Sequence, residues 1–226
     1  MIIGIIGYGK MGKKIEQISI TRGHNVEFKI NSQNTDKLNK NIISKVDVAI
    51  EFSGPQHAFE NIAFCLENNI PVVSGTTGWL DQMQDIQLIC KKNNGTLFYA
   101  ENFSVGLNIF LKTTRLLTSL TQFGNYNIQL IETHHTTKKD IPSGTALMLQ
   151  KEIHDLNHQK KIRVLSKRIG NVIGEHILEY SSTEDTITFK HAAHNRDGFA
   201  KGAILAAEFI KNKKGVFSMN DLINTF

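Results

Sequence analysis

The chain has 226 residues, of which 40% are hydrophobic and 21% charged, which suits one or two globular domains. No apolar run reaches the roughly 20 residues of a membrane-spanning helix, and the start, MIIGIIGYGK, lacks signal-peptide features, so we expect a cytoplasmic protein without a membrane partner. The net charge of +5 invites a nucleic-acid partner, but the lysines are dispersed and no such motif is present; a small anionic ligand explains the charge better.

Strand and helix patterns alternate through the first half. Strands are indicated by MIIGIIG, NVEFKI, KVDVAIEFS, PVVSG and TLFYAEN, and helices by KMGKKIEQISITRG, PQHAFENIAFCLENN and WLDQMQDIQLICKKN. Repeated strand–helix–strand units require parallel pairing, so the sequence predicts an α/β fold with an N-terminal doubly wound, Rossmann-type parallel sheet. Cys65 and Cys90 fall in two of the helices, and we expect both to be buried free thiols.

The second half predicts an α+β domain. A long helix, VGLNIFLKTTRLLTSLTQF, is followed by the strand NIQLIETHH and by strand-like runs with a polar turn at 181–185, which indicate an antiparallel sheet. One face of the long helix is predicted to hold Ile109, Phe110, Thr113, Leu116, Leu117 and Leu120. The last helix can return to the first domain, so we predict one domain from residues 1–102 and 203–226 and another from 103–202.

A glycine-rich loop, GYGKMG, joins the first strand to the first helix. Its Gly7, Gly9 and Gly12 match the spacing of dinucleotide-binding loops, in which backbone N–H groups approach a pyrophosphate. The alternative is a tight turn without a ligand. The second strand ends without the usual ribose-binding acid, whereas Lys29 could meet a 2′-phosphate, so NADPH or dual use is favoured.

Two more segments end strands at the same predicted edge of the sheet. SGTTGW, residues 74–79, follows the fourth strand, and YAENF, residues 99–103, ends the fifth. Ligands of doubly wound sheets bind at this edge, so we expect both segments to contact a ligand. The alternative for the first is a polar loop in which Thr77 caps the next helix.

The stretch ETHHTTKKDIPSGTALMLQ, residues 132–150, concentrates groups for proton transfer. His134 and Lys138 can exchange protons, and Ser143–Thr145 opens a helix whose free N–H groups can seat an anion. No zinc signature is present, and His154 and His158 fit a solvated helix face, so no metal is expected. An anionic substrate is favoured over an inert polar loop.

Six blocks together resemble one enzyme family. GYGKMGKKI, VAIEFSGP, VSGTTGW, ENFSVGLNI, ETHHTTKKDIPSGTAL and HAAHNRDGFAKGAILAA match, in order and over nearly the whole chain, the pattern of the 4-hydroxy-tetrahydrodipicolinate reductase (dihydrodipicolinate reductase) family. The resemblance implies reduction of a cyclic unsaturated dicarboxylate with NADH or NADPH in lysine and diaminopimelate biosynthesis. It also implies a homotetramer, joined through a second domain that serves substrate binding and oligomerisation.

The resemblance assigns roles to particular residues. His134 would be the acid/base and Lys138 the proton donor, with Lys139 beside it leaving the choice of lysine open. The substrate would contact His135, Ser143, Gly144 and Thr145. The cofactor would contact Gly7, Tyr8, Gly9, Lys10, Met11, Gly12, Gly75, Thr76, Thr77, Ala100, Glu101, Asn102 and Phe103.

Three departures from the family pattern affect the cofactor. The segment between the second and third strands is short, Asn31 stands where the ribose acid is expected, and Glu101 replaces a small residue. They leave NADH against NADPH open. The competing hypothesis is a redox-responsive dinucleotide-binding module without catalysis, but such a module has no need of an anion seat beside a proton donor.

Overall fold

The computed structural model describes residues 1–158 and 162–226, which form two compact units. Unit 1 contains Met1–Val105 and Asp197–Phe226, and unit 2 contains Gly106–Arg196. The boundary expected at 202/203 falls inside a helix, Asp197–Ile210, that lies wholly in unit 1.

Unit 1 is an alternating α/β unit. Its strands are β1 (Ile2–Ile6), β2 (Asn25–Ile30), β3 (Val48–Glu51), β4 (Val72–Ser74), β5 (Thr96–Tyr99) and, after unit 2, β10 (Gly215–Phe217). Its helices are α1 (Lys10–Thr21), α2 (Lys40–Ile43), α3 (Pro55–Glu67), α4 (Met83–Lys92), α7 (Asp197–Ile210) and α8 (Met219–Ile223).

The six strands of unit 1 form one parallel sheet in the order β10-β5-β4-β3-β1-β2. This confirms the predicted doubly wound sheet. Strand β2 lies on one side of β1, and β3 lies on the other. The strand order therefore reverses between β1 and β3, which is where folds of this kind bind ligands. Helices α1, α7 and α8 enclose one apolar core against the sheet, and α3 and α4 enclose a second on the other face.

Unit 2 packs helices on one face of a four-stranded sheet. Its elements are α5 (Val105–Leu120, whose first residue is counted with unit 1), β6 (Asn127–His134), α6 (Gly144–Leu156), β7 (Ile162–Arg168), β8 (Gly174–Ser181) and β9 (Thr186–Ala193). The order is β7-β6-β8-β9, with β8 antiparallel to both neighbours. The expectation of a wholly antiparallel sheet was wrong for β6 and β7, which pair in parallel because α6 carries the chain back before β7 begins.

The predicted buried face of α5 was also wrong in part. The fully buried positions are Leu107, Phe110, Thr114 and Thr118, whereas Ile109, Leu116 and Leu120 are exposed. Apolar residues occur on several sides of this helix, so their spacing alone does not choose the side that meets the sheet.

Cys65 and Cys90 are buried free thiols, as predicted. Within residues 1–158 and 162–226, no helix has the length and apolar character needed to cross a membrane.

Candidate active site

The buried face of the unit 2 sheet changes from apolar to polar along β6. Leu130 belongs to the apolar core, whereas Glu132 and His134, the next two residues on that face, are buried polar groups exposed by 0% and 7%. The register of β6 and β8 sets His176, also buried, directly opposite Glu132. Alternation along the strand thus places a carboxylate and two imidazoles together at one end of the core.

Glu132 is the centre of this cluster. Its carboxylate accepts hydrogen bonds from His134 Nδ1 and, at 2.9 Å, from Arg168 Nη1. Burial raises the pKa of the Glu132 carboxyl, but hydrogen bonds from Ser166, Arg168 and His134 outweigh it and hold the pKa below its usual value. Glu132 therefore stays ionised beside the histidine.

His134 is held by one ring nitrogen and open at the other. Burial lowers its pKa, while the hydrogen bond and charge of Glu132 oppose that shift. With Nδ1 bonded to Glu132, Nε2 is the nitrogen left for a ligand. Any Cβ at position 174 would lie 3.2 Å from Nε2, so Gly174 keeps a side chain away from that nitrogen.

His176 is a second, more deeply embedded imidazole. Its Nε2 lies 3.5 Å from Ser143 Oγ, and its buried Nδ1 has no partner in the part of the chain that the structure describes. Burial, followed by the nearby charge of His134, lowers the pKa of His176 to about 4. The ring is therefore neutral at physiological pH.

Glu132, His134 and His176 also have the spacing of a metal site. One ligand atom from each lies within 4.8 Å of the others. Arg168, however, is already bound to the Glu132 carboxylate and supplies the positive charge that a metal ion would bring. The hydrogen bonds therefore favour a histidine–carboxylate dyad at this position.

The loop after β6 is held by Arg168. The Arg168 Nη2 donates to the backbone oxygen of Asp140 at 2.6 Å, and Lys138 Nζ lies 2.9 Å from Asp140 Oδ1. The His135 ring bonds Thr137 Oγ1 within the loop, and Lys139 is exposed. One arginine thus connects the loop carrying Lys138 to the carboxylate that holds His134.

Helix α6 begins directly after this loop. Buried Ser143 is its N-cap, and the Ser143 hydroxyl accepts a hydrogen bond from the Ala146 N–H at 3.2 Å. Gly144 is exposed and Thr145 half-buried at the first turn, where backbone N–H groups lack intrahelical acceptors. The hydroxyl of Ser143 therefore organises the helix start, and Gly144 and Thr145 are the better placed to meet an anion.

The glycine loop of unit 1 has the form of a phosphate cradle. Gly7 has φ +98°, and a Cβ there would lie 2.1 Å from the Phe52 oxygen. Likewise, a Cβ on Gly12 would meet the Gly7 oxygen at 2.4 Å. Gly9, the N-cap of α1, has no atom within 4 Å of such a Cβ. Lys10 and Met11 begin the helix itself. The backbone at Gly9 is therefore open to a pyrophosphate, so these residues fit a dinucleotide.

Tyr8 and Lys29 beside this loop share one carboxylate. The Tyr8 hydroxyl donates to Glu16, and Lys29 Nζ lies 2.8 Å from Glu16 Oε1. Asn31, after β2, accepts from the Gln33 N–H at 2.8 Å in a local turn. The positive charge of Lys29 is thus already paired with the Glu16 carboxylate of α1.

The segment after β4 is closely packed at one end and exposed at the other. Any Cβ on Gly75 would lie 2.2 Å from the Phe52 ring; Thr76 is buried and Thr77 exposed. The next helical turn has Trp79 at its N-cap position without a side-chain cap bond, so Thr77 does not cap it. Thr77 is therefore left at the surface of the predicted ligand edge.

The segment after β5 divides similarly. The side chains of Ala100 and Phe103 are buried, and the rings of Phe103 and Phe52 lie 5.5 Å apart. Glu101 is exposed, and Asn102 Oδ1 accepts from the Ser104 N–H at 2.9 Å. Of residues 100–103, Glu101 and Asn102 therefore have the side chains more accessible to a ligand.

Sequence reasoning did not identify Glu132, Arg168 or His176. Glu132 could have been found, because it stands two residues before His134 on a predicted strand and so shares its face. Arg168 and His176 come from other strands, and only the sheet register brings them to Glu132.

A glycine cradle on a doubly wound sheet, with a separate unit carrying a buried histidine–carboxylate pair and a lysine, defines a pyridine-nucleotide-dependent oxidoreductase. Family models described as the N-terminus and C-terminus of dihydrodipicolinate reductase match residues 1–103 and 106–223. The chain belongs to the dihydrodipicolinate reductase family.

Individual proteins agree with this membership. The chain is 41% identical to the 4-hydroxy-tetrahydrodipicolinate reductase of Christiangramia forsetii over 99% of this chain and 98% of that protein. It is 30% identical to that of Methanococcus aeolicus over 97% and 81% of the respective lengths. A dipicolinate-bound dihydrodipicolinate reductase from Paenisporosarcina sp. TG-14 shares the fold, with TM-score 0.84 and 22% identity over 97% of this chain and 98% of that one.

Proposed function

We propose that this protein reduces 4-hydroxy-tetrahydrodipicolinate to tetrahydrodipicolinate with NADPH or NADH, a step in lysine and diaminopimelate biosynthesis. The observation that carries the proposal is the buried Glu132–His134 pair beside the loop of Lys138 and the start of α6. Full-length relatives bear this reductase name, and the Paenisporosarcina structure holds dipicolinate, also a dicarboxylate.

Unit 1 would hold the cofactor. Residues 7–12 would bind the pyrophosphate through backbone N–H groups, and residues 75–77 and 100–103 would line the nicotinamide. The bound nicotinamide would supply the hydride. Both nucleotides remain candidates, because the end of β2 offers neither a ribose-binding acid nor an unpaired Lys29.

Unit 2 would hold and protonate the substrate. Backbone N–H groups of Gly144 and Thr145, with the Ser143 N-cap shaping the turn, would bind a carboxylate, and His135 would add a contact. The 4-hydroxyl would first leave as water with a proton from the adjacent ring carbon, which gives a conjugated C=C–C=N system. Hydride addition to this system leaves an electron-rich ring, and Lys138 or protonated His134 Nε2 would stabilise that charge and deliver the proton. Glu132 keeps Nε2, rather than Nδ1, available for this step.

The test is oxidation of NADPH or NADH with freshly prepared 4-hydroxy-tetrahydrodipicolinate. We expect His134→Ala and Lys138→Ala to lower kcat by about two to four orders of magnitude while nucleotide binding survives. Lys139→Ala is the matched control, since Lys139 is the exposed neighbour of Lys138, and it should retain nearly full activity. Unchanged turnover in the first two variants would contradict these roles.

The competing module hypothesis predicts nucleotide binding by the unmodified protein without turnover, and the comparisons do not favour it. We also propose a homotetramer, as the family resemblance implies. Light scattering would give about four times the 25.4 kDa chain mass, and a monomeric mass would exclude it.

A further inference from the structure

Glu51 is a fully buried carboxylate in unit 1 that the proposed function does not use. It is the last residue of β3, the strand beside the reversal of strand order, and its exposure is 0%. In the part of the chain that the structure describes, all its hydrogen-bond partners are neutral. Burying a carboxylate without a cation is unfavourable, so its presence here calls for a reason.

The bonds around Glu51 all point toward the carboxylate. It accepts from the Ser53 N–H at 2.8 Å, from the Ser53 hydroxyl, from the Ser74 hydroxyl at 2.7 Å and from the Thr76 hydroxyl at 2.8 Å. Thr76 Oγ1 itself accepts from the Ser53 N–H, and Ser53 Oγ accepts from Asn61 Nδ2. Both hydroxyls thus accept from an N–H and have their own hydrogens left to donate to the Glu51 carboxylate oxygens.

These bonds join two loops at the carboxyl edge of the sheet. Ser53 lies between β3 and α3, Ser74 is the last residue of β4, and Thr76 belongs to the segment 75–77 proposed to line the nicotinamide. The Phe52 ring packs on Gly75, next to Thr76. A single carboxylate therefore joins the two loops, one of which is proposed to meet the nicotinamide, and its charge would lie near that ring.

We propose that Glu51 is a positioning residue whose charge favours the oxidised nicotinamide. An oxidised nicotinamide ring is cationic and a reduced ring is neutral, so a buried negative charge nearby stabilises only the oxidised form. This bias promotes departure of the hydride. The inference rests on the proposed placement of the nicotinamide beside residues 75–77.

The test compares dissociation constants of the oxidised and reduced nucleotide without substrate, by calorimetry. We expect Glu51→Gln to weaken NAD⁺ relative to NADH by about three- to ten-fold, with the same direction for NADP⁺ relative to NADPH. Glu60→Gln, which removes an exposed carboxylate from α3, should leave the ratio unchanged. Equal weakening of both nucleotides, or no change, would show that the Glu51 charge has no such role.

A second variant keeps the test decisive if Glu51→Gln does not fold. Position 53 is exposed, so Ser53→Lys can place an ammonium against the carboxylate without enlarging the core. It should shift the ratio in the same direction, and an unshifted ratio in this variant overturns the proposal. Nucleotide binding needs no dicarboxylate, so failure of turnover alone would refute the proposed reaction and leave this inference standing.

Discussion

Glu132 and His134 lie two residues apart on the buried face of β6, and the His134 Nδ1–H donates a hydrogen bond to the Glu132 carboxylate. The same carboxylate binds Arg168, at the end of the neighbouring strand β7. The orientation of the histidine ring is therefore set by side chains that the sheet itself holds.

Removing the charge of Glu132 should weaken His134 as an acid donor. The carboxylate raises the pKa of His134 against the larger effect of burial, so Glu132→Gln should lower that pKa further. We expect kcat to fall about 10- to 100-fold and the alkaline loss of activity to begin at lower pH. Glu179→Gln, in the same sheet, removes a carboxylate bonded to Gln129 and is the control for pH–rate profiles. Superimposable profiles for the two variants would contradict the coupling.

Arg168→Lys should separate charge from geometry. Lysine keeps the positive charge but cannot bond Glu132, Asp140 O and Lys167 O together, as the guanidinium does. We expect kcat to fall about ten-fold through looser placement of the loop. Arg163→Lys, an exposed position on β7, should have little effect in the same steady-state assay. Equal activity in both variants would argue against a role for the three hydrogen bonds of the Arg168 guanidinium.

Two glycines of α7 should respond oppositely to alanine. Any Cβ on Gly202 would lie 1.7 Å from the Phe103 oxygen, so Gly202→Ala should lower the free energy of unfolding by about 1–3 kcal/mol. Gly198 has no atom within 4 Å of its Cβ position, so Gly198→Ala should raise it by up to about 1 kcal/mol. Urea titration measures both, and a stable Gly202→Ala variant would show that the contact can relax.

Acid should destabilise the protein through His176. The pKa of His176 is lowered from 6.5 to about 4 in the folded chain, so between these values the unfolded chain binds a proton that the native state excludes. The unfolding free energy should therefore fall as pH drops, by about 2 kcal/mol from pH 7.5 to 5 through this group. In His176→Gln this pH-dependent fall in the unfolding free energy should disappear. In His154→Gln, which changes an exposed histidine on α6, the fall should persist. Identical pH dependence in both would refute the assignment.

The sequence revealed most of unit 1 because its signals are local. The glycine loop at Gly7 and the alternation of buried strands with amphipathic helices each depend on neighbours in the chain. The pairing of Glu132 with His176 and with Arg168 depends on sheet register between residues more than 30 positions apart. The bond from Arg168 to Asp140 O, in the loop after β6, spans 28 positions and follows from the same placement of Arg168. The spacing of apolar residues also could not predict which side of α5 meets the sheet, because buried Phe110 and exposed Leu116 are both apolar.

The insertion of unit 2 has a consequence for synthesis on the ribosome. Strand β10 pairs with β5, and α7 fills one of the two cores of unit 1, yet both follow the whole of unit 2 in the chain. Residues 1–105 therefore emerge with one face of their sheet covered only by α1, and its core is completed only by residues 197–223. During that interval the apolar side chains awaiting α7 are open to chaperones or to aggregation.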